Sequence, residues 1–378
     1  MTRRITFAVL AATVALAVLA AAIPAGGAAA TGSGRYIVVL KGGTSDPGAV
    51  ANDHGRRYGA RVSNVYGHAL KGYSATIPES KVDDLRRNSS VAYVERDSTV
   101  TTTAQTLPWG VDKVDADTSS TQAGNGSGTV SGVNAYVIDT GIASHQDLNL
   151  TRHVNFAGGK NTDCNGHGTH VAGTVAARDN TVDVVGVAPG APLTGVKVLG
   201  CNGSGSTSGV IKGIDWVTAN AARPAVANMS LGGSASQALD DAVRRSASSG
   251  VTYAIAAGND GANACTQSPA RAGTTAGVIT VAATDSSDSE TSWSNYGSCV
   301  DIWAPGLSIL STRRGGGTTT MSGTSMATPH VTGGSALYLS GHSGTPADVE
   351  SALKAAATTT SRQSKDGRTI TRLNVAGF

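Results

Sequence analysis

The sequence predicts an α/β fold in which a mostly parallel sheet lies between two layers of helices, preceded by a small α+β domain. From Val133 onward, short apolar segments rich in β-branched residues alternate with helical segments, which is typical of a parallel sheet covered on both faces. A polar stretch without periodicity, residues 97–106, separates this region from an earlier one and indicates an exposed linker. With 378 residues, 15% of them charged, and 49 glycines, the chain has the composition of a compact globular protein with many tight turns.

Residues 1–30 have the three-part pattern of a secretory signal peptide. Arg3 and Arg4 come first, an apolar run follows from Phe7 to Ile23, and Ala28-Ala29-Ala30 provides small residues for cleavage. A membrane anchor is the alternative, but the run is Ala-rich, is followed by Pro24 and lacks a stop-transfer cluster. We therefore expect a secreted, extracellular product with no membrane segment after signal removal. The paired arginines leave the Sec and twin-arginine export routes both open.

Residues 31–103 are predicted to form the small α+β domain. Apolar residues alternate with polar ones in its strands and recur at helical spacing in its helices. The predicted strands are Tyr36–Leu40, Gly72–Ile77 and Val91–Glu95, and the predicted helices are Asp46–Ala60 and Val82–Asn88.

Residues 104–378 are predicted to form the larger α/β domain. Its strands are Val133–Ile138, Leu193–Leu199, Ala225–Met229, Val251–Ala256 and Val278–Ala282, and its helices are His167–Arg178, Ser208–Asn220, Ser236–Ser248, Ser325–Leu339 and Pro346–Ala357. In such folds, functional groups gather at the carboxyl ends of the parallel strands.

The charge distribution excludes nucleic acid as a partner. The formal net charge is +3, but the excess of basic side chains lies within the first 103 residues and the rest of the chain is slightly acidic. The larger domain contains neither a run of Lys or Arg nor an alternation of basic and aromatic residues, which are the usual signs of nucleic-acid binding.

The four cysteines, Cys164, Cys201, Cys265 and Cys299, all lie in the larger domain. An even number in an exported chain predicts two disulfide bonds, and the absence of a Cys-x-x-Cys pair argues against a zinc site. Three pairings are possible. We favour Cys164 with Cys201 and Cys265 with Cys299.

Asp139 and His167 are candidate catalytic residues. Asp139 stands where an apolar strand ends and a glycine turn begins, so its carboxylate is either buried beside an active site or simply caps the turn. His167 lies at the start of a predicted helix within Asn165-Gly-His-Gly-Thr-His170. Two histidines three positions apart suggest metal binding as an alternative, but the helical metalloprotease motif has another spacing and a glutamate that this segment lacks. We expect His170 to be a structural side chain.

Ser325 is the candidate nucleophile, within the segment Gly323-Thr-Ser-Met-Ala-Thr-Pro329-His330. Proline is tolerated early in a helix but not in its middle, so Ser325 must lie near a helix N-terminus. Unpaired N–H groups and the positive end of the helix dipole are available there to stabilise a developing oxyanion. The alternative is that Ser325 only caps the helix.

Together these motifs resemble those of the subtilases, and within that family the proteinase K and aqualysin branch. The resemblance covers about residues 106–378, and the chain order Asp, His, Ser is that of subtilisin. It implies a subtilisin-like fold and a serine endopeptidase in which Ser325 attacks the scissile carbonyl, His167 transfers the proton and Asp139 orients the imidazole. It also implies that Asn259 donates to the oxyanion. The alternative is a catalytically silent binding protein on the same scaffold.

Three segments are predicted to bind substrate, and the first two resemble the walls that pair with a peptide backbone in subtilases. They are Gly203-Ser204-Gly205, Ser230-Leu231-Gly232 and Ala256-Ala257-Gly258. Their glycines permit close approach of a substrate backbone, although ordinary loops are also compatible with the pattern. Since none of them is charged, we expect protein or peptide substrates with a broad, apolar preference at P1.

Residues 35–97 resemble the subtilisin propeptide, notably in Gly72–Glu79 and Val91–Arg96. The resemblance implies that this domain assists folding, inhibits the enzyme as an intramolecular partner and is removed by self-cleavage between about Val100 and Gln105. We expect the mature protein to be a monomer.

The family also implies a structural calcium ion, although catalysis needs no cofactor. Its predicted ligands are the Asp301 carboxylate and the carbonyls of Ala276 and Val278. The chain differs from proteinase K nearby through extra residues around Gly273 to Gly277.

Overall fold

The computed structural model describes residues 32–97 and 105–378, which form two compact units. The predicted signal peptide lies outside the described residues, as does almost all of the predicted self-cleavage region. Within the described ranges, no helix combines the length and the apolar character needed to cross a membrane.

The smaller unit is a four-stranded antiparallel sheet with two helices. Its elements are β1 (Ser33–Leu40), α1 (Pro47–Tyr58), β2 (Arg61–Tyr66), β3 (Gly72–Pro78), α2 (Glu79–Arg86) and β4 (Val91–Arg96), and the strand order is β2-β3-β1-β4. Asp46 caps α1 by accepting a hydrogen bond from Ala49 N at 2.9 Å. All five predicted elements are present. The sequence did not predict β2, because most of its residues are exposed and its apolar pattern is weak.

The larger unit contains a nine-stranded sheet. Its helices are α3 (Trp109–Lys113), α4 (His167–Ala176), α5 (Thr207–Asn220), α6 (Gln237–Ser248), α7 (Thr324–Gly341) and α8 (Pro346–Ala356). Its strands are β5 (Asn134–Asp139), β6 (Leu150–Asn155), β7 (Leu193–Lys197), β8 (Ala225–Met229), β9 (Gly233–Ser234), β10 (Val251–Ala256), β11 (Gln267–Ser268), β12 (Val278–Thr284), β13 (Ile302–Pro305), β14 (Ile309–Thr312), β15 (Thr318–Met321), β16 (Thr358–Gln363) and β17 (Thr369–Arg372).

The sheet has the order β16-β17-β13-β12-β10-β8-β5-β7-β6, and all neighbouring pairs are parallel except β16 with β17. Successive residues of β5 point to opposite faces. Val137 packs in a core with α4 and α7, whereas Tyr136 and Ile138 pack in a second core with α5 and α6. The predicted α/β class, with a mostly parallel sheet between two helical layers, is confirmed.

The two disulfide bonds join Cys164 to Cys201 and Cys265 to Cys299, which is the pairing that we favoured. Their Cα atoms are 4.9 and 5.4 Å apart, respectively, within the usual range for a disulfide. The first bond ties the segment that precedes α4 to the segment that follows β7. Both of these segments border the candidate site.

Candidate active site

Asp139 is the last residue of β5 and is completely buried. Its two carboxylate oxygens lie 2.8 and 2.9 Å from Nδ1 of His167, and Oδ1 also accepts a hydrogen bond from Thr140 N at 2.6 Å. Since a carboxylate only accepts hydrogen bonds, the Nδ1 of His167 carries the proton and Nε2 is left free as a base. This arrangement fixes both the orientation and the tautomer of the imidazole.

His167 is the first residue of α4, and the buried Asp163 organises the approach to that helix. Asp163 Oδ1 accepts from Asn165 N, Gly166 N and the Thr140 hydroxyl, at 2.8 to 3.0 Å. Its Oδ2 accepts from Thr169 N and the Thr169 hydroxyl. Asp163 was not predicted from the sequence. The available signal was an acidic residue just before a helix start, a position where carboxylates satisfy unpaired N–H groups.

The pKa of His167 reflects opposing effects. Burial alone would lower it, but the charge of Asp139 and its hydrogen bond, together with the charge of Asp163, raise it above its ordinary value of 6.5. The raised pKa means that the protonated imidazole is stabilised when it forms. A quarter of the His167 side chain remains exposed, so a ligand in the cleft can reach it.

Ser325 is the second residue of α7, close to the helix N-terminus, as the position of Pro329 predicts. Because Pro329 has no N–H, the Ser325 carbonyl lacks its usual helical donor. The Ser230 hydroxyl donates to that carbonyl instead, at 2.8 Å, and the Ser325 hydroxyl donates to the Ser230 carbonyl at 3.2 Å. This reciprocal pair connects the start of α7 to the end of β8, a link that the sequence did not reveal.

Ser325 and His167 line the same cleft, but no hydrogen bond joins these two described side chains in the structure. The Ser325 hydroxyl points to Ser230 instead. Hydrogen bonds of this kind are often long or misaligned without substrate and tighten when substrate binds. A hydrogen bond between these two side chains would require the Ser325 hydroxyl to leave the Ser230 carbonyl.

Two N–H donors converge beside Gly323. Asn259 Oδ1 accepts from Thr324 N and the Thr324 hydroxyl, at 2.8 and 2.9 Å, which directs the Asn259 amide nitrogen toward Gly323. A Cβ atom placed on Gly323 would lie 3.7 Å from Asn259 Nδ2 and 3.6 Å from Ser325 N. Gly323 has a φ of 156° and a ψ of 162°, a conformation that is essentially restricted to glycine. The space beside Gly323 can therefore receive an oxygen atom between the two donors.

The cleft has a volume of about 630 Å³ and contains two of the three predicted substrate segments. Gly203, Ser204, Gly205, Ser230, Leu231 and Gly232 all line it, with Leu199, Val210 and Leu239 as further apolar contacts. Ala256 and Ala257 are buried at the end of the central strand β10, and neither they nor Gly258 lines this cavity. No Asp, Glu, Lys or Arg is among the lining residues.

The residues predicted to hold calcium do not fit a metal ion well. Asp301 Oδ1 accepts from Lys354 Nζ at 3.0 Å and Oδ2 accepts from Thr280 N at 2.9 Å, so the protein's own ammonium group stands against the carboxylate. Burial nevertheless raises the pKa of Asp301 to about 6. A calcium ion bound by Asp301, Ala276 and Val278 would have to displace Lys354. Among the described residues, no group of three or more His, Cys, Asp or Glu side chains is arranged to bind a metal.

Comparison with known families gives two matches. Residues 131–374 match the family model for peptidase S8, described as the subtilase family, and residues 35–103 match the model for peptidase inhibitor I9. The two matches correspond to the larger and the smaller unit.

Similar proteins include peptidases and a solved structure. An extracellular serine proteinase of Thermus sp. (strain Rt41A) is 49% identical over 306 residues, which cover 78% of this chain and 73% of the relative. Alkaline serine exoprotease A of Vibrio alginolyticus is 44% identical over 326 residues, or 80% of this chain and 58% of that protein. The crystal structure of a cold adapted subtilisin-like serine proteinase is 44% identical, with a TM-score of 0.63, and covers 72% of this chain and 98% of that one.

Proposed function

The chain belongs to the subtilase family and is a serine-type endopeptidase with a subtilisin-like fold, and on this basis we propose that Ser325, His167 and Asp139 are its catalytic triad. We further assign it a broad preference for apolar P1 side chains and maturation by self-cleavage. The observation that carries the proposal is the pair of contacts from His167 Nδ1 to Asp139, at 2.8 and 2.9 Å, in the cleft that also contains Ser325.

The proposed mechanism uses only side chains and backbone groups of the protein and needs no cofactor. His167 Nε2 takes the proton of the Ser325 hydroxyl as its oxygen attacks the scissile carbonyl, and the imidazolium then protonates the leaving amine. Asp139 stabilises the imidazolium without taking up a proton itself. Water, activated by the same imidazole, then hydrolyses the acyl-enzyme, which regenerates Ser325.

The space beside Gly323 is the proposed oxyanion hole, with Ser325 N and Asn259 Nδ2 as donors. Asn259→Leu keeps the approximate size of the side chain but removes the donor, together with the oxygen that accepts from Thr324. We expect kcat to fall by about 10² to 10³ with little change in KM, the size of effect that the equivalent donor has in subtilisin, because the amide acts mainly on the charge that develops in the transition state. Steady-state kinetics on a peptide p-nitroanilide will measure both constants. A large rise in KM with unchanged kcat would contradict the assignment.

The uncharged cleft supports the proposed substrate preference. Leu199, Val210, Leu231 and Leu239 offer contacts for apolar side chains among lining residues that are otherwise mostly small and polar. No Asp, Glu, Lys or Arg lines the cleft to select a basic or acidic side chain. Protein substrates are therefore expected to be cut at many sites. The alternative of a silent binding protein predicts that a fluorophosphonate probe does not label Ser325, whereas an active enzyme reacts covalently.

We assign the smaller unit the role of an inhibitory propeptide. Its match to the I9 inhibitor family and its own compact core support this role. We also propose that it is removed by cleavage between about residues 100 and 105. The extracellular location of the Thermus relative, stated in its name, supports secretion of this chain. We expect the mature enzyme to act as a monomer on protein and peptide substrates.

Two buried histidines should make the enzyme sensitive to acid. His170 Nε2 donates to Ile309 O and His330 Nδ1 donates to Met326 O, while the second ring nitrogen of each has no partner among the described residues. Burial lowers the pKa of both histidines to about 4. Its burial and its hydrogen bond to Ile309 O support the structural role that we assign to His170.

Since an unfolded histidine titrates near 6.5, the unfolded chain takes up protons first as the pH falls. The free energy of unfolding should therefore decrease between pH 6.5 and pH 4, by up to about 3 kcal/mol for each histidine. Denaturant titrations of the inhibitor-inactivated enzyme at several pH values will measure this decrease. His330→Gln should flatten the curve, and an equally steep curve in that variant would contradict the explanation.

A further inference from the structure

Lys197, the last residue of β7, has a buried ammonium group that the proposed mechanism does not use. The residue is 1% exposed, and its Nζ lies 2.7 Å from Thr140 O, 2.9 Å from Leu199 O and 3.7 Å from Cys164 Sγ. All three contacts are acceptors, which matches the three N–H donors of a charged ammonium group. Burying an unpaired charge is costly, and Lys197 forms no ion pair among the described residues.

The Thr140 carbonyl that Lys197 holds belongs to the residue next to Asp139. Thr140 N donates to the Asp139 carboxylate, and the Thr140 hydroxyl donates to Asp163 while accepting from Gly168 N at the start of α4. Lys197 therefore binds the carbonyl of Thr140, while the N–H and the hydroxyl of Thr140 contact the two buried acids and α4. A shift of this residue would move the carboxylate that orients His167.

The second carbonyl bound by Lys197 belongs to Leu199, which lines the substrate cleft and lies just before the predicted substrate wall. Leu199 N donates to Asp139 O at 3.2 Å, and the chain continues to Cys201, which is bonded to Cys164, and then to Gly203–Gly205. One ammonium group thus links the turn after the triad acid to the start of the substrate wall.

The ammonium group of Lys197 also interacts electrostatically with two buried carboxylates, those of Asp163 and Asp139. Burial lowers its pKa, whereas the charges of Asp163 and Asp139 act in the opposite direction. The other titratable groups here are His167 and His170 on α4 and His153 on β6. Burial lowers the pKa of His153, and the charge of Lys197 contributes to that decrease. With Lys197 charged, the two carboxylates leave one net negative charge for the imidazolium of His167 to offset.

We propose that Lys197 is a positioning residue for the triad, which holds the turn after Asp139 through the Thr140 carbonyl and offsets part of the negative charge of Asp163 and Asp139. This inference rests on the roles assigned to Asp139 and His167 above. It adds a residue that contacts neither the substrate nor the reacting atoms.

The test is the pH dependence of kcat/KM for Lys197→Met, which keeps the length of the side chain and removes the charge. Loss of a nearby positive charge stabilises the imidazolium, so the acid limb should move to higher pH by about 0.5 to 1 unit. We expect kcat to fall roughly tenfold or more because the turn is no longer held, with KM nearly unchanged. Lys197→Gln, which can still donate to a carbonyl, should show the same shift of the acid limb if Lys197→Met does not fold.

Lys365→Met is the control, although this lysine is about one-third exposed and also pairs with Glu290. Its Nζ also donates to backbone carbonyls, those of Thr291, Ser292 and Ser294, but it lies on the segment between β16 and β17 and contacts no triad residue. The control should leave the acid limb in place. An unchanged acid limb in both Lys197 variants would overturn the inference, even if their melting temperatures fall. Titration with a serine-reactive inhibitor separates the two proposals, because an enzyme that does not react at Ser325 contradicts the proposed function instead.

Discussion

Ser325→Ala is expected to lower kcat for peptide hydrolysis by about 10⁶ and to leave the precursor uncleaved. Without the hydroxyl there is no nucleophile to form the acyl-enzyme, and only the oxyanion donors and substrate binding remain to accelerate hydrolysis. The variant should fold, because the hydroxyl makes a single hydrogen bond, to Ser230 O, and the hydrogen bond from Ser230 to the Ser325 carbonyl does not depend on it. Casein digestion and the size of the purified chain report the two effects.

Ser335→Ala is a suitable control for this change. Ser335 lies in the same helix, is buried, and donates only to Val331 O at 2.8 Å. The control should be processed and active, with at most a small loss of stability. A processed, active Ser325→Ala protein would refute the triad assignment. Inactivity of both variants would mean instead that α7 tolerates no substitution, so labelling by a fluorophosphonate should be compared as well.

The centre of the fold was predictable from the sequence because its strands are apolar on both faces. The five predicted strands of the larger domain correspond to β5, β7, β8, β10 and β12, which lie side by side in the sheet. The strands that flank this group were missed. β6 and β16 are polar and partly exposed, and β13 and β17 have only four residues each, so none of them has a distinctive pattern.

The candidate site was likewise predictable only in part from the sequence. The end of a strand at Asp139 and the helix starts at His167 and Ser325 follow from local signals such as glycine turns and Pro329. The hydrogen-bond partners of these residues do not follow from local signals. Asp163 and Lys197 take their roles from hydrogen bonds to Thr140, 23 and 57 positions away, and the partner of Ser230 is 95 positions away. Contacts across such separations arise only when the sheet is assembled.

The contacts of Asp139 also predict a large effect of Asp139→Asn, which we expect to lower kcat by about 10⁴ at neutral pH. Thr140 N donates to Oδ1 of residue 139 at 2.6 Å, so the oxygen of the new amide must remain at that position. Its NH2 group then occupies the position of Oδ2, 2.9 Å from His167 Nδ1, and donates a hydrogen bond there. The amide oxygen remains 2.8 Å from the same nitrogen, but a donor beside Nδ1 favours the tautomer with the proton on Nε2, which cannot accept the proton of Ser325.

Asp147→Asn provides the comparison, because Asp147 is also a buried carboxylate but accepts from Asn180 Nδ2 and Val184 N and does not contact His167. The control should keep kcat within a few-fold of the parent even if it is less stable. Because the proposed defect in Asp139→Asn is the tautomer and not the fold, its melting temperature should stay close to that of the parent while kcat falls. A kcat that decreases only in proportion to the folded fraction would show that Asp139 stabilises the protein and has no part in orienting His167.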